Sequence, residues 1–177
     1  VTASPHRTLV LGGARSGKSR YAEDLLPDDA PVRYCATARR DDDDAEWAAR
    51  IAVHRSRRAA AWTTVEDPDL VAELRGTGPL IIDDVATWLT GVLDDAGAWE
   101  LPEAPATVGE RVDALVAAVA ACPGRAVLVS AEVGLGVVPA TRAGRLFRDE
   151  LGAANAALAM VCDEVLLFVA GLPLRLK

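Results

Sequence analysis

An apolar run, Thr8-Leu9-Val10-Leu11, leads into Gly12-Gly13-Ala14-Arg15-Ser16-Gly17-Lys18-Ser19. That is the Gly-x-x-x-x-Gly-Lys-Ser spacing of a phosphate-binding P-loop. Gly12 and Gly17 permit dihedrals and a close backbone approach that a side chain would block. The N–H groups of the loop can then converge on phosphate oxygens, helped by the positive end of the helix that follows. Lys18 would reach the β- and γ-phosphates of a nucleoside triphosphate, and the Ser19 hydroxyl would ligate Mg2+. The context is the one such a loop requires, a strand-like run before it and the helix-forming Arg20-Tyr21-Ala22-Glu23-Asp24-Leu25-Leu26 after it.

A second stretch, Leu80-Ile81-Ile82-Asp83-Asp84, is an apolar run that ends in carboxylates. A buried parallel strand with this pattern delivers an acidic side chain to a phosphate-bound metal at its C-terminal end. Asp83 or Asp84 could serve, and the one-residue offset puts them on opposite strand faces.

The third stretch is Arg50-Ile51-Ala52-Val53-His54-Arg55-Ser56-Arg57-Arg58. Helical spacing aligns Trp47, Ile51, His54 and Arg58. Two readings fit. The basic residues can complement the negative end of a helix. Alternatively, His54 is a nucleophile among guanidiniums that bind phosphate oxygens. Attack by its ring on an α-phosphate would hold a nucleotidyl group as a phosphoramidate. The neutral imidazole required is favoured by neighbouring positive charge, which lowers the ring's pKa. Spacing does not choose between the two.

The elements that must position these residues alternate in type. Residues 1–7 read as a loose leader before a single domain over 8–177. Strands are expected at Thr8–Leu11, Val32–Thr37, Trp62–Glu66, Leu80–Asp84, Ala126–Ser130 and Val165–Val169. Leu172–Leu176 suits an edge strand, where Pro173 is tolerated. Helices are expected over 45–58, from Pro68 through Leu74, and over 87–94, 108–121 and 140–162. Such alternation implies an α/β fold with a mainly parallel sheet and helices on both faces, and it leaves room for an antiparallel edge strand.

At 177 residues, of which 51% are apolar, the chain can build one real core. A net charge of −7 argues against a nucleic-acid or anionic-membrane surface. A phosphate ligand stays compatible, because a P-loop binds it with backbone dipoles and one lysine. Cys35, Cys122 and Cys162 show no paired or metal-like spacing, and with no signal peptide they fit a reducing cytoplasm. No apolar run approaches the length of a membrane span.

Several blocks in this order and spacing carry a resemblance. They are Gly12 to Arg20, Tyr34-Cys35-Ala36-Thr37-Ala38, Arg50-Ile51-x-x-His54-Arg55-x-x-Arg58, Trp62-x-Thr64-x-Glu66 and Asp83-x-x-x-x-Trp88-Leu89-Thr90. Glu132 to Pro139, Arg145-x-Phe147-Arg148-Asp149-x-x-Gly152-x-x-Asn155 and Gly171-Leu172-Pro173-Leu174-x-x-Lys177 complete the set. Together they resemble the bifunctional adenosylcobinamide kinase / adenosylcobinamide-phosphate guanylyltransferase family of cobalamin biosynthesis, over nearly the whole chain. The resemblance implies a P-loop fold of the RecA-like kind, a homotrimer, and two reactions. A nucleoside triphosphate, ATP or GTP, phosphorylates the aminopropanol hydroxyl of adenosylcobinamide. GMP from GTP is then transferred to that phosphate.

The same resemblance matches His54 to the family's guanylylated histidine, and Gly12, Gly13, Ala14, Arg15, Ser16, Gly17, Lys18 and Ser19 to its phosphate binders. Thr37, Ala38, Arg39, Arg55, Ser56, Arg57, Arg58, Glu66 and Asp83 correspond to positions around bound GTP, and of the two aspartates it selects Asp83, with Ser19, for the metal. The chain departs from the family pattern at Ala131, where Asn is common, at Ala156, where Gln is common, and at Asp84, where a small or thiol residue is usual. A monofunctional P-loop kinase is the competing enzyme reading. A nucleotide switch is disfavoured because the guanine-selecting Asn-Lys-x-Asp is absent from the sequence.

Overall fold

The computed structural model describes residues 6–39 and 58–177. The strands are β1 (Arg7–Gly12), β2 (Arg33–Ala36), β3 (Thr63–Glu66), β4 (Leu80–Asp83), β5 (Ala126–Ala131), β6 (Glu164–Val169) and β7 (Leu172–Arg175). The helices are α1 (Lys18–Asp24), α2 (Leu70–Glu73), α3 (Val85–Asp95), α4 (Ala106–Ala121) and α5 (Arg142–Val161), with a 3-10 turn at Ala98–Glu100. The helix expected over 45–58 lies outside the described residues except for Arg58.

All strands join one sheet in the order β3-β2-β4-β5-β1-β6-β7. Every pairing is parallel except β6 with β7. The central strands are apolar on both faces, as a sheet covered on both sides demands. Leu9, Leu80, Ile82 and Leu128 pack with Leu70 and Leu74 around α2, with Leu115 and Val119 of α4, and with Leu158 of α5. Val10, Ile81, Val127 and Val129 face the other way, onto Ala22 and Leu26 at α1. α3 closes the first layer by burying Leu89, Val92 and Leu93 against α4 and α5. The expected α/β architecture with an antiparallel edge is the one observed.

Element ends shifted where side chains cap them. The expected helix opening at Pro68 begins at Leu70, because the Asp69 carboxylate accepts the Ala72 N–H at 3.1 Å. α3 starts at Val85 rather than residue 87, capped by Asp84. α5 starts at Arg142 because Thr141 Oγ1 accepts the Gly144 N–H. Arg7, read as leader, is the first residue of β1. Its guanidinium forks onto Asp163 at 2.8 and 3.0 Å, and its N–H donates to the same carboxylate. All three cysteines are free and buried. Among the described residues, no helix is long and apolar enough to cross a membrane.

Candidate active site

Register brings the chemistry to one edge of the sheet. Gly12 ends β1 opposite Ala131 of β5 and Phe168 of β6, while Ala36 of β2 lies between Asp83 and Glu66. The crevice at the C-terminal ends of parallel strands is where α/β sheets bind ligands. β5 separates β1 from β4, so the P-loop and the acidic strand are not neighbours. α1 bridges that gap: it touches β1, β5 and β4.

The glycines of the loop serve different needs. A Cβ at Gly12 would lie 2.5 Å from the Ser16 hydroxyl and 3.0 Å from the Phe168 carbonyl oxygen, so the loop folds back over the strand end only with glycine there. Gly17 sits at φ 94°, a left-handed conformation that a side chain resists, and leads directly into α1. Lys18 Nζ donates to the Gly13 carbonyl at 3.3 Å, arching back over the loop. The Glu132 N–H donates to the Gly12 carbonyl, which ties the end of β5 to the loop.

Ser19 Oγ donates to Asp83 Oδ1 at 3.3 Å. This contact separates the two aspartates. Asp83 shares a sheet face with Ile81, which packs in the α1 layer, so its carboxylate meets the first turn of that helix. Asp84 turns away and accepts the Thr87 N–H at 2.6 Å as the cap of α3. Burial, and then the charge of Asp83, push the Asp84 carboxyl above its usual value, while Thr87 pulls it back. Thr37 joins the site from the end of β2: its N–H donates to the Asp83 carbonyl and its hydroxyl to the Asp84 carbonyl.

Tyr34 is the residue that motif reasoning did not place at the site. Its hydroxyl donates to Asp83 Oδ2. Burial, followed by the Asp83 charge, pushes the phenol well up, so it remains a protonated donor. Arg58 lies over the Tyr34 ring, its guanidinium carbon 3.7 Å from the centroid, and donates to Thr64 Oγ1 at 2.8 Å. The signal in the sequence was a hydroxyl-bearing aromatic beside Cys35 and Ala36 in a short strand.

The residues present suit Mg2+. Ser19 Oγ and Asp83 Oδ1 are hard oxygen donors side by side, and Mg2+ is commonly held by one or two protein oxygens, with phosphates and water completing its shell. Among the described residues, no group of three or more His, Cys, Asp or Glu forms a dedicated metal cage.

Residues 8–176 match the family model described as cobinamide kinase / cobinamide phosphate guanyltransferase. The chain belongs to that family. It is 39% identical over 180 residues to the bifunctional adenosylcobalamin biosynthesis protein CobU of Escherichia coli (strain K12), covering 96% of this chain and 98% of that one. It is 43% identical over 177 residues to the bifunctional adenosylcobalamin biosynthesis protein CobP of Pseudomonas aeruginosa, covering 97% of each. Among solved structures, the P4 protein from bacteriophage phi6 in complex with ADP overlaps 98% of this chain and 58% of its own, at 14% identity and a TM-score of 0.48.

Of the residues expected at the family's site, Gly12 to Ser19, Thr37 and Asp83 come together at the C-terminal ends of β1, β2 and β4. Ala38 follows Thr37, and Glu66 ends β3 at the same end of the sheet. Arg39 is turned toward α3, where both arms of its fork bind Asp95 at 2.8 Å. Arg58 faces Tyr34 as described. His54, Arg55, Ser56 and Arg57 lie outside the described residues.

Proposed function

We propose that this chain performs both reactions of its family at one P-loop site: phosphorylation of the cobinamide hydroxyl by ATP or GTP, then transfer of GMP from GTP to the new phosphate through His54. The observation that carries the reading is the contact between Ser19 and Asp83 beside the P-loop, in a chain that matches the family over residues 8–176.

Phosphoryl transfer depends mainly on positioning and charge neutralisation. The loop amides orient the phosphates and Lys18 supplies a positive charge. Ser19 and Asp83 would hold Mg2+, which when bound neutralises charge on the phosphate oxygens. For guanylyl transfer, a ring nitrogen of His54 forms a bond to the α-phosphorus of GTP as the bond to pyrophosphate breaks. An oxygen of cobinamide phosphate then attacks that phosphorus and the histidine leaves. Splitting an exchange between two anions into two displacements gives each step one activated nucleophile. Arg55, Arg57 and Arg58 would screen the charge of the phosphates, and a homotrimer in the cytoplasm is part of the same reading.

The test is to incubate the protein with GTP labelled on the α-phosphate, denature it, and assay for acid-labile, base-stable label. Wild type is expected to carry GMP. His54→Ala is expected to carry none and to retain phosphorylation of cobinamide. Equal loss of both activities in a folded His54→Ala protein would refute the separate role of His54. Absence of label from wild type, with ATP-dependent phosphorylation intact, would leave a monofunctional kinase.

A further inference from the structure

Asp83 Oδ1 faces Ser19 at the head of α1, while Oδ2 accepts the Tyr34 hydroxyl from inside the fold. Tyr34 reaches it for a geometric reason. Its register partner on β4 is Ile81, two residues before Asp83, so Tyr34, Ile81 and Asp83 share a sheet face. The phenol ring spans the remaining distance along the strand.

The ring itself is 1% exposed and cannot swing freely. Arg58 covers one face at 3.7 Å from its centroid. The Trp62 ring lies 6.3 Å away, tilted by 32°, and is anchored by its Nε1–H donating to the Pro27 carbonyl at 2.8 Å. The surroundings are Val10, Ala22, Val32 and Ile81, which would pack a phenylalanine as well as a tyrosine. A hydroxyl placed in such a setting costs free energy unless it is hydrogen-bonded. Here Asp83 supplies that bond.

We propose that Tyr34 is a positioning residue for the metal-side carboxylate: by occupying Oδ2 it fixes the rotation of Asp83 so that Oδ1 is presented toward Ser19. Outer partners that orient a ligating carboxylate tune metal affinity in this way. Neither the glycine-lysine-serine spacing nor the strand-terminal acid specifies this residue, which comes from a different strand. The inference rests on the reading of Asp83 as the metal-side ligand.

Tyr34→Phe removes one oxygen and leaves the ring between Arg58 and Trp62. Binding of a β,γ-imido analogue of GTP is measured by calorimetry with and without MgCl2, for wild type, Tyr34→Phe and Asp83→Asn. In wild type, Mg2+ is expected to tighten binding. In Tyr34→Phe the magnesium-free affinity is expected to be unchanged, while the Mg2+ concentration giving half of the tightening rises about tenfold. Phosphorylation of cobinamide by this variant is expected to recover at saturating Mg2+, which a merely structural defect would not do. Asp83→Asn is expected to abolish the tightening at any Mg2+ concentration. If Tyr34→Phe keeps the wild-type Mg2+ response while Asp83→Asn loses it, the role given to Tyr34 is wrong and the reading of Asp83 stands. If Tyr34→Phe weakens binding equally with and without Mg2+, Tyr34 is only structural. If Asp83→Asn keeps the full response, the metal-side reading itself is wrong.

Discussion

Substitution of Asp84 separates two jobs that adjacent carboxylates perform. The side chain of Asp84 caps α3 through a 2.6 Å bond from the Thr87 N–H, and its carboxyl is raised by burial and by Asp83. Asn accepts that N–H as well as Asp does and carries no charge, whereas Ala leaves the donor without a partner. Loss of such a cap costs about 1 kcal/mol. In a domain of this size that corresponds to a melting temperature about 2–4 °C lower for Asp84→Ala than for Asp84→Asn.

The sign of the pH effect follows from the raised value. A carboxyl that binds its proton more tightly when folded contributes stability that is complete below its ordinary value of 3.8 and is lost as pH rises through the folded value. Asp84→Asn has no such loss, so it is expected to equal or exceed wild type at neutral pH, with the difference growing as pH rises from 3.8 through the folded value and constant above it. Thermal melts of the three proteins across pH, without Mg2+ or nucleotide, measure this. Equal melting temperatures for the Ala and Asn variants would refute the capping argument. An Asn variant less stable than wild type at neutral pH would refute the electrostatic one.

Lys18→Ala removes the lysine that folds over the P-loop, and both phosphorylation and guanylyl transfer are expected to fall on the order of a hundredfold; normal turnover in either assay would show that the two reactions do not share this site. Arg7 holds the Asp163 carboxyl down at about 2, so the pair's contribution is present above the ordinary value of 3.8 and is lost as pH falls toward 2. Asp163→Asn is expected to flatten the acid limb of the stability curve and, because the pair is partly exposed and screened, to cost less than about 1 kcal/mol at neutral pH. Cys35, Cys122 and Cys162 are free and buried, and burial pushes the Cys35 and Cys162 thiols up to about 12. A thiol reagent is expected to leave the native protein unmodified and to add three labels once it is denatured, as read by mass spectrometry.

The chain itself announced its fold because local signals agreed. Apolar strands alternating with amphipathic helices allow few architectures, and Gly12 to Ser19 form a local motif whose geometry follows from spacing. Pro173 placed β7 at an edge for a reason as local as its missing N–H. Helix starts were less legible, since the competition between a cap and the turn before it is decided by a single hydrogen bond, as at Asp69 and Thr141.

Tertiary structure decided the rest. Strand alternation predicts opposite faces for Asp83 and Asp84, but β4 ends at Asp83 and Asp84 caps α3, and only the packing of α1 across β1, β5 and β4 brings Asp83 to Ser19. Arg39 and Asp95 are 56 positions apart, and no pattern joins them until β2 and α3 are placed. Tyr34 reads in the sequence as one more core aromatic. Its contact depends on the register of β2 against β4, which aligns it with Ile81 and carries its hydroxyl to Asp83. Phosphate binding is therefore written locally, in a loop whose donors are consecutive. The setting of the Asp83 carboxylate is written across three elements, because Ser19 and Tyr34 approach its two oxygens from α1 and β2.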